Sequence, residues 1–196
     1  MTLLVAITGG IGSGKSTFSN QVIKRKLKLQ DSDVEVAKLY KKPNKNFINH
    51  LVKIGLGSSI QNKKINKKVI AEIIFSNKEI KTNLEKYIFQ IIRKKRLQFI
   101  KKETKQKTIF FDIPLLIENN LQKEFDFVVS VISTRKNRFL RLKKSKLMIK
   151  KTFNNIIKHQ TTDRLRKKHS NIIIFNNQSL KKYIININNI LDTLVK

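Results

Sequence analysis

The stretch "TLLVAITGGIGSGKSTFSNQV", Thr2 to Val22, decides the fold. Leu3 to Thr8 reads as a buried strand, and Lys15 to about Lys26 as a helix with Phe18, Val22 and Ile23 on one face. Between them stands Gly9-x-x-x-x-Gly14-Lys15-Ser16, a complete Walker A pattern. Glycines let backbone N–H groups turn inward around a β-phosphate, and the helix N-terminus adds partial positive charge. Gly12, Ser13, Gly14, Lys15, Ser16 and Thr17 are therefore the expected nucleotide-binding residues. Lys15 would reach the β- and γ-phosphates, and the Ser16 hydroxyl would ligate Mg²⁺. The pattern argues for a bound nucleoside triphosphate and is silent on what happens to it.

Working outward, Leu27 to Gln30 reads as a short strand beside the first. A helix of roughly 12 residues descends about 18 Å, and the returning strand with Asp31 to Asp33 climbs about 20 Å, which brings Asp33 back to the level of the loop. A carboxylate there can accept the proton of an attacking hydroxyl or help to hold Mg²⁺. Equally, Asp31 or Asp33 can cap a helix running from Val34 to Tyr40. "TIFFD", Thr108 to Asp112, reads as a central parallel strand ended by an acid and Pro114. Asp112 can orient Mg²⁺ or its water, or simply occupy the turn. Further strands are expected at Phe125 to Ile132 and Asn171 to Phe175, a basic helical segment from Arg135 to about Lys158, and a last helix from Ser179 to Leu194. That helix carries Leu180, Tyr183, Ile184, Ile187, Leu191 and Leu194 on one stripe.

From Pro43 to about Lys105 no strand is expected, whereas helical spacing recurs at Phe47, Leu51 and Ile54, then at Val69, Ile70, Ile73 and Ile74, and along Asn77 to about Glu103. Strands alternating with helices imply a three-layer α/β fold around a parallel sheet, with this stretch inserted as a helical lobe. A chain of 196 residues, 40% hydrophobic, can bury one good core, so one domain with sub-lobes is expected.

Charge is the extreme feature: 43 Lys and Arg against 13 Asp and Glu give a formal +30. Such a field attracts nucleic acid, anionic membrane or polyanionic small molecules. The basic residues are mostly Lys travelling with abundant Ile and Asn, and AT-rich codons produce the same pattern without selection for binding. Arg135, Arg138, Arg141, Arg164 and Arg166 bracket the basic helical segment, where Arg suits bidentate phosphate contact and equally a solvated face. Cysteine is absent, which rules out disulfides and thiolate chemistry. The apolar stretch from Leu3 to Ile7 is far shorter than a signal core or a membrane span, so a soluble, unexported, cytoplasmic protein is expected. The three histidines show no metal-ligand spacing, and no guanine-reading Asn-Lys-x-Asp occurs.

With these pieces in order, the chain resembles the dephospho-CoA kinase family, P-loop kinases that complete coenzyme A synthesis. The likeness begins at "ITGGIGSGKST", continues through "DSD" at Asp31 to Asp33 and Tyr40, and is close at "DIPLLIENNL", Asp112 to Leu121. It ends with Arg141, Gln160, Arg166 and "NIIIFNN", so that it spans essentially the whole chain. Departures are Ile117 where Phe is usual, Phe89-Gln90 in place of a His-Pro pair, Ser145 in place of a second lid arginine, and Gln178 in place of a terminal Gly.

The resemblance implies phosphorylation of the ribose 3′-hydroxyl of dephospho-CoA by ATP, giving CoA and ADP. It implies a core of about 1–42, 106–140 and 167–196, a helical CoA-binding lobe at about 43–105 and a lid at about 141–166. Within it Asp33 is the general base, Lys15 and Arg141 stabilise the transferring group, and Ser16 and Asp112 hold Mg²⁺. Thr8, Asp33, Asp112, Leu116 and Glu118 serve the substrate. No specific nucleic acid and no membrane partner is expected, and the chain would act as a monomer or weak homo-oligomer. Two readings compete: a kinase of another small hydroxyl acceptor, and a nucleic-acid-binding NTPase suggested by the charge.

Overall fold

In the computed structural model, which describes residues 2–144 and 149–195, the opening apolar run forms strand β1, Leu3–Gly9, buried from Val5 onward. Four other strands join it in parallel: β2 (Lys28–Asp31), β5 (Thr108–Asp112), β6 (Phe127–Ile132) and β7 (Ile172–Phe175). The order is β2-β5-β1-β6-β7, so β1 lies at the centre with β5 and β6 beside it. Each neighbouring pair is parallel, which is why β5 reads as a continuous apolar run rather than an alternation. Flanking helices complete a P-loop kinase fold. They are α1 (Lys15–Lys24), α6 (Arg135–Lys144), α7 (Lys150–Lys158), α8 (Asp163–Lys168) and α9 (Leu180–Leu194).

One sheet face is built from alternate residues Val5, Ile7, Phe110, Val129 and Val131, covered by Phe18 and Val22 of α1 and by Tyr183, Ile187 and Leu191 of α9. Phe18 is fully buried. Phe18→Ala is expected to cost about 3–5 kcal/mol through lost transfer energy and the cavity left behind, read as a lowered urea midpoint.

Several element boundaries differ from the sequence expectation, each for a local reason. Helix α1 ends at Lys24, because Arg25 caps it and Lys26 turns left-handed at φ 57°. Strand β2 then starts one residue later than expected and takes in Asp31. Before β6, the Asp126 carboxylate accepts from the Leu4 N–H at 2.8 Å while its own N–H donates to the Leu4 carbonyl at 3.0 Å, so a side chain closes the ladder there. Asn171 does the same before β7, its amide oxygen accepting from the Val128 N–H at 2.8 Å. The basic segment is not one helix: α6 is described as far as Lys144, and Ile149, extended at φ −90° and ψ 155°, precedes α7. Ser145 lies outside the described residues. Leu180 opens α9 and is 62% exposed, so the buried stripe starts at Tyr183.

The chain divides into two compact units, residues 1–31 with 103–196, and Ser32–Lys102. The second contains α2 (Ser32–Lys41), α3 (Lys45–Lys53), α4 (Lys67–Ser76) and α5 (Lys78–Lys102) around Leu39, Phe47, Leu51, Leu56, Ile70 and Leu84. It also contains a hairpin, β3 (Ile60–Gln61) with β4 (Lys64–Ile65), which corrects the expectation of no strand there. Two-residue strands are too short to show a period, and the remaining sign is Asn62, which with Lys63 takes positive φ (48° and 61°) as a tight hairpin turn requires. The abundant asparagine is put to use as well. Asn44 accepts from the Phe47 N–H at 2.8 Å, Asn66 from Lys68 at 3.0 Å and Asn77 from Ile80 at 3.0 Å, capping α3, α4 and α5.

Candidate active site

The loop leaves β1 at Gly9 and enters α1 at Gly14. Two glycines are obligatory on geometric grounds. Gly12 has φ +71° and a Cβ there would meet the Arg138 carbonyl at 2.7 Å, while Gly14 has φ +102° and its Cβ would meet Asn176 Nδ2 at 2.1 Å. Gly14 caps α1 with no side chain taking up the first N–H groups, which suits a helix start meant for an anion.

On the sheet side of the loop, Lys15 Nζ donates to Asp112 Oδ1, and Ser19 Oγ donates to Asp112 Oδ2 at 2.5 Å. The register places Asp112 beside Ile7 and also beside Asp31, so three strand ends converge where the loop begins. Asp112 is 2% exposed, and these two donors supply the hydrogen bonds that water would otherwise give its oxygens. Ser16 is exposed in the first turn of α1, and Thr17 is half-buried beside it.

On the outer side, other side chains take up the loop's carbonyls. Arg138 Nε donates to the Ile11 carbonyl at 2.7 Å, and Gln160 Oε1 accepts from the Ile11 N–H at 3.0 Å and from Arg138 Nη2 at 3.2 Å. Arg141 Nη1 reaches the Gly12 and Ser13 carbonyls at 3.2 and 3.4 Å, and its Nη2 the Asn176 carbonyl at 2.6 Å. Asn176 Nδ2 donates to the Ser13 carbonyl at 2.8 Å, and the Tyr183 hydroxyl to the Gly14 carbonyl at 3.1 Å. Burial lowers the pKa of Arg138, with Asp163 opposing, and burial likewise lowers that of Arg141. Both remain guanidinium ions. Burial pushes the Tyr183 phenol up, keeping it a donor.

Beyond Gln160 the network continues into the segment after β5. Glu118 Oε1 accepts from the Thr161 N–H at 2.7 Å and from Arg166 Nη2 at 3.2 Å, while Arg166 Nη1 meets Asp163 at 3.1 Å. Arg166 is 1% exposed; the two carboxylates replace part of its lost hydration at Nη1 and Nη2, and its Nε is buried with no hydrogen-bond partner among the described residues.

Residues 3–182 match the sequence model of the dephospho-CoA kinase family. The chain belongs to the dephospho-CoA kinase family. Among its relatives, a Fusobacterium nucleatum dephospho-CoA kinase is 31% identical over 98% of each chain. Two solved structures share the fold. A Thermus thermophilus protein has a TM-score of 0.85 at 19% identity, covering 100% of this chain and 99% of its own. A dephospho-CoA kinase from Campylobacter jejuni has 0.76 at 22% identity, covering 100% and 98%.

The family segments named from sequence fall unevenly on the site. The structure brings together Gly12 to Thr17, Asp112 and Arg141. Thr8 and Leu116 are both fully buried, and the Thr8 hydroxyl donates to the Pro114 carbonyl at 3.2 Å. Asp33 is exposed in the first turn of α2 in the second unit, where its charge suits the helix dipole. Because α2 begins at Ser32, Asp33 lies inside the helix rather than at its cap. Within that unit a cleft of about 370 Å³ is lined by Asn44, Asn46, Tyr87, Gln90 and Lys94, so Gln90 of the departing Phe89-Gln90 pair faces a cavity. Asn176, Tyr183 and Ser19 were not marked as site residues by their sequence. Tyr183 carried only the helical spacing of a core residue.

The family implies Mg²⁺. Among the described residues no cluster of three or more His, Cys, Asp or Glu could hold a metal. A hydroxyl at Ser16 and a buried carboxylate at Asp112 form an all-oxygen set that fits Mg²⁺, which takes few protein ligands and completes its shell with water and phosphate. No helix among the described residues is long and apolar enough to cross a membrane.

Proposed function

We propose that the protein transfers the γ-phosphoryl group of ATP to the 3′-hydroxyl of the ribose of dephospho-CoA, giving CoA and ADP, the last step of coenzyme A synthesis. The observation that carries this is the phosphate loop with its Lys15–Asp112 pair, set in a chain whose residues 3–182 match the dephospho-CoA kinase family.

In this reading the loop's N–H groups and Lys15 hold the β- and γ-phosphates. Lys15 exchanges its partner Asp112 for phosphate oxygens when ATP enters. Asp33, two residues past the strand end at Asp31, accepts the proton of the 3′-hydroxyl as its oxygen bonds to the γ-phosphorus and the bond to ADP breaks. Arg141 adds positive charge beside the loop. Ser16 and Asp112 would hold Mg²⁺, which neutralises charge on the phosphates when bound. The acceptor belongs to the lobe of about 43–105, with the lid at about 141–166, and Thr8, Leu116 and Glu118 shape the acceptor side. The protein works in the cytoplasm as a monomer or weak homo-oligomer.

The test is turnover of purified protein with Mg²⁺ and ATP, following ADP by a coupled assay and CoA by chromatography. One CoA per ADP is expected, with little ATP consumed when dephospho-CoA is left out. ATP turnover indifferent to dephospho-CoA but stimulated by RNA, with steep salt dependence, would replace this reading with a nucleic-acid-driven NTPase.

A further inference from the structure

A trans peptide sets its carbonyl and the following N–H on opposite sides of one plane. Fixing the Ser13 carbonyl therefore aims the Gly14 N–H, and fixing the Gly14 carbonyl aims the Lys15 N–H. Both carbonyls are held from outside the loop, the first by Asn176 Nδ2 at 2.8 Å and the second by the Tyr183 hydroxyl at 3.1 Å, which joins the Thr17 and Phe18 N–H groups of α1 at 3.0 and 3.3 Å. The Ile11 and Gly12 carbonyls are held in the same way by Arg138 and Arg141. Every carbonyl from Ile11 to Gly14 thus has a side-chain donor.

We propose that Asn176 and Tyr183 are positioning residues of the nucleotide site: neutral donors that hold the Ser13 and Gly14 peptides with their N–H groups facing the phosphates before ATP arrives.

Their own settings support this. Asn176 is 6% exposed, its N–H donates to the Ile132 carbonyl at 2.8 Å, and its carbonyl accepts from Ser133 Oγ at 2.7 Å. Tyr183 is 1% exposed and packs in the core between sheet and α9. The Asn176 main chain and the Tyr183 ring are thus fixed by groups outside the loop. Both are neutral, which separates them from the arginines: removing either changes loop geometry without removing a positive charge from the phosphates. The inference rests on reading this loop as the ATP site and not on the identity of the acceptor.

Tyr183→Phe and Asn176→Ala in the full chain test it, with the Kd of Mg²⁺-ADP measured by calorimetry and the KM of each substrate measured by turnover. Each variant is expected to bind ADP about three- to tenfold more weakly, as a lost hydrogen bond implies, and to raise the KM for ATP while leaving that for dephospho-CoA unchanged. ADP affinity within about twofold of the parent in Tyr183→Phe, whatever happens to its melting temperature, would overturn the proposal, since a structural role alone lowers stability without touching Kd. Should Asn176→Ala fail to fold, Tyr183→Phe decides alone. Weakened ADP binding in variants of a parent that makes no CoA would leave this inference standing and remove the proposed acceptor.

Discussion

Lys15→Met is expected to lower kcat by about 10²-fold or more, to weaken ATP binding, and also to destabilise the protein with no nucleotide present. The first two effects follow from losing the cation over the β- and γ-phosphates. The third follows from Asp112, a carboxylate 2% exposed that would keep only Ser19 as a donor. Stranding one member of a buried pair costs about 3–5 kcal/mol. The lower end applies here, since Lys15 keeps 15% of its side-chain surface. A second substitution separates the effects. Lys15→Met with Asp112→Asn leaves no stranded charge, so the melting temperature should recover toward the parent while turnover stays lost. Failure of stability to recover would mean that Lys15 supports the fold by some route other than Asp112.

Asp33→Asn is expected to reduce kcat by about 10²–10⁴-fold, the range a positioned general base supplies, with ADP affinity largely kept. Asparagine preserves size and hydrogen bonding but cannot take the proton of the 3′-hydroxyl. Asp33 is exposed in the first turn of α2, so the variant should melt close to the parent. The loss therefore reads as chemistry rather than folding. Asp31→Asn is the comparison: its residue ends β2 and pairs in register with Asp112, and a smaller fall in kcat is expected. Near-parental kcat in Asp33→Asn would remove the base assignment.

The central sheet and the nucleotide loop were legible because their signals are local. A buried parallel strand such as Thr108–Asp112 shows itself as an apolar run, and a phosphate loop needs its glycines at fixed spacing. Legibility failed where an element is too short to repeat its period, as in β3 and β4 at two residues and α8 at six. It failed again where function depends on contact across the chain. Tyr183 meets Gly14 from 169 residues away and Asn176 meets Ser13 from 163, and no spacing rule reaches that far. Resemblance had marked Gln160 and Arg166 by position alone. Their work, holding Ile11 and Glu118, became visible only when the hydrogen bonds were traced.

The pair formed by Arg138 and Gln160 bears on how such a chain could diverge. These two side chains meet each other and the Ile11 peptide, and so brace the donor's seat. A descendant that took up a different alcohol could keep both unchanged, because gripping ATP would demand them as before. Inheritance of these letters therefore tracks the giver of the phosphoryl group more closely than its receiver. On the proposed reading, in which the acceptor belongs to the second unit, a newly acquired acceptor would leave its first trace among side chains such as Tyr87, Gln90 and Lys94 that line its cleft.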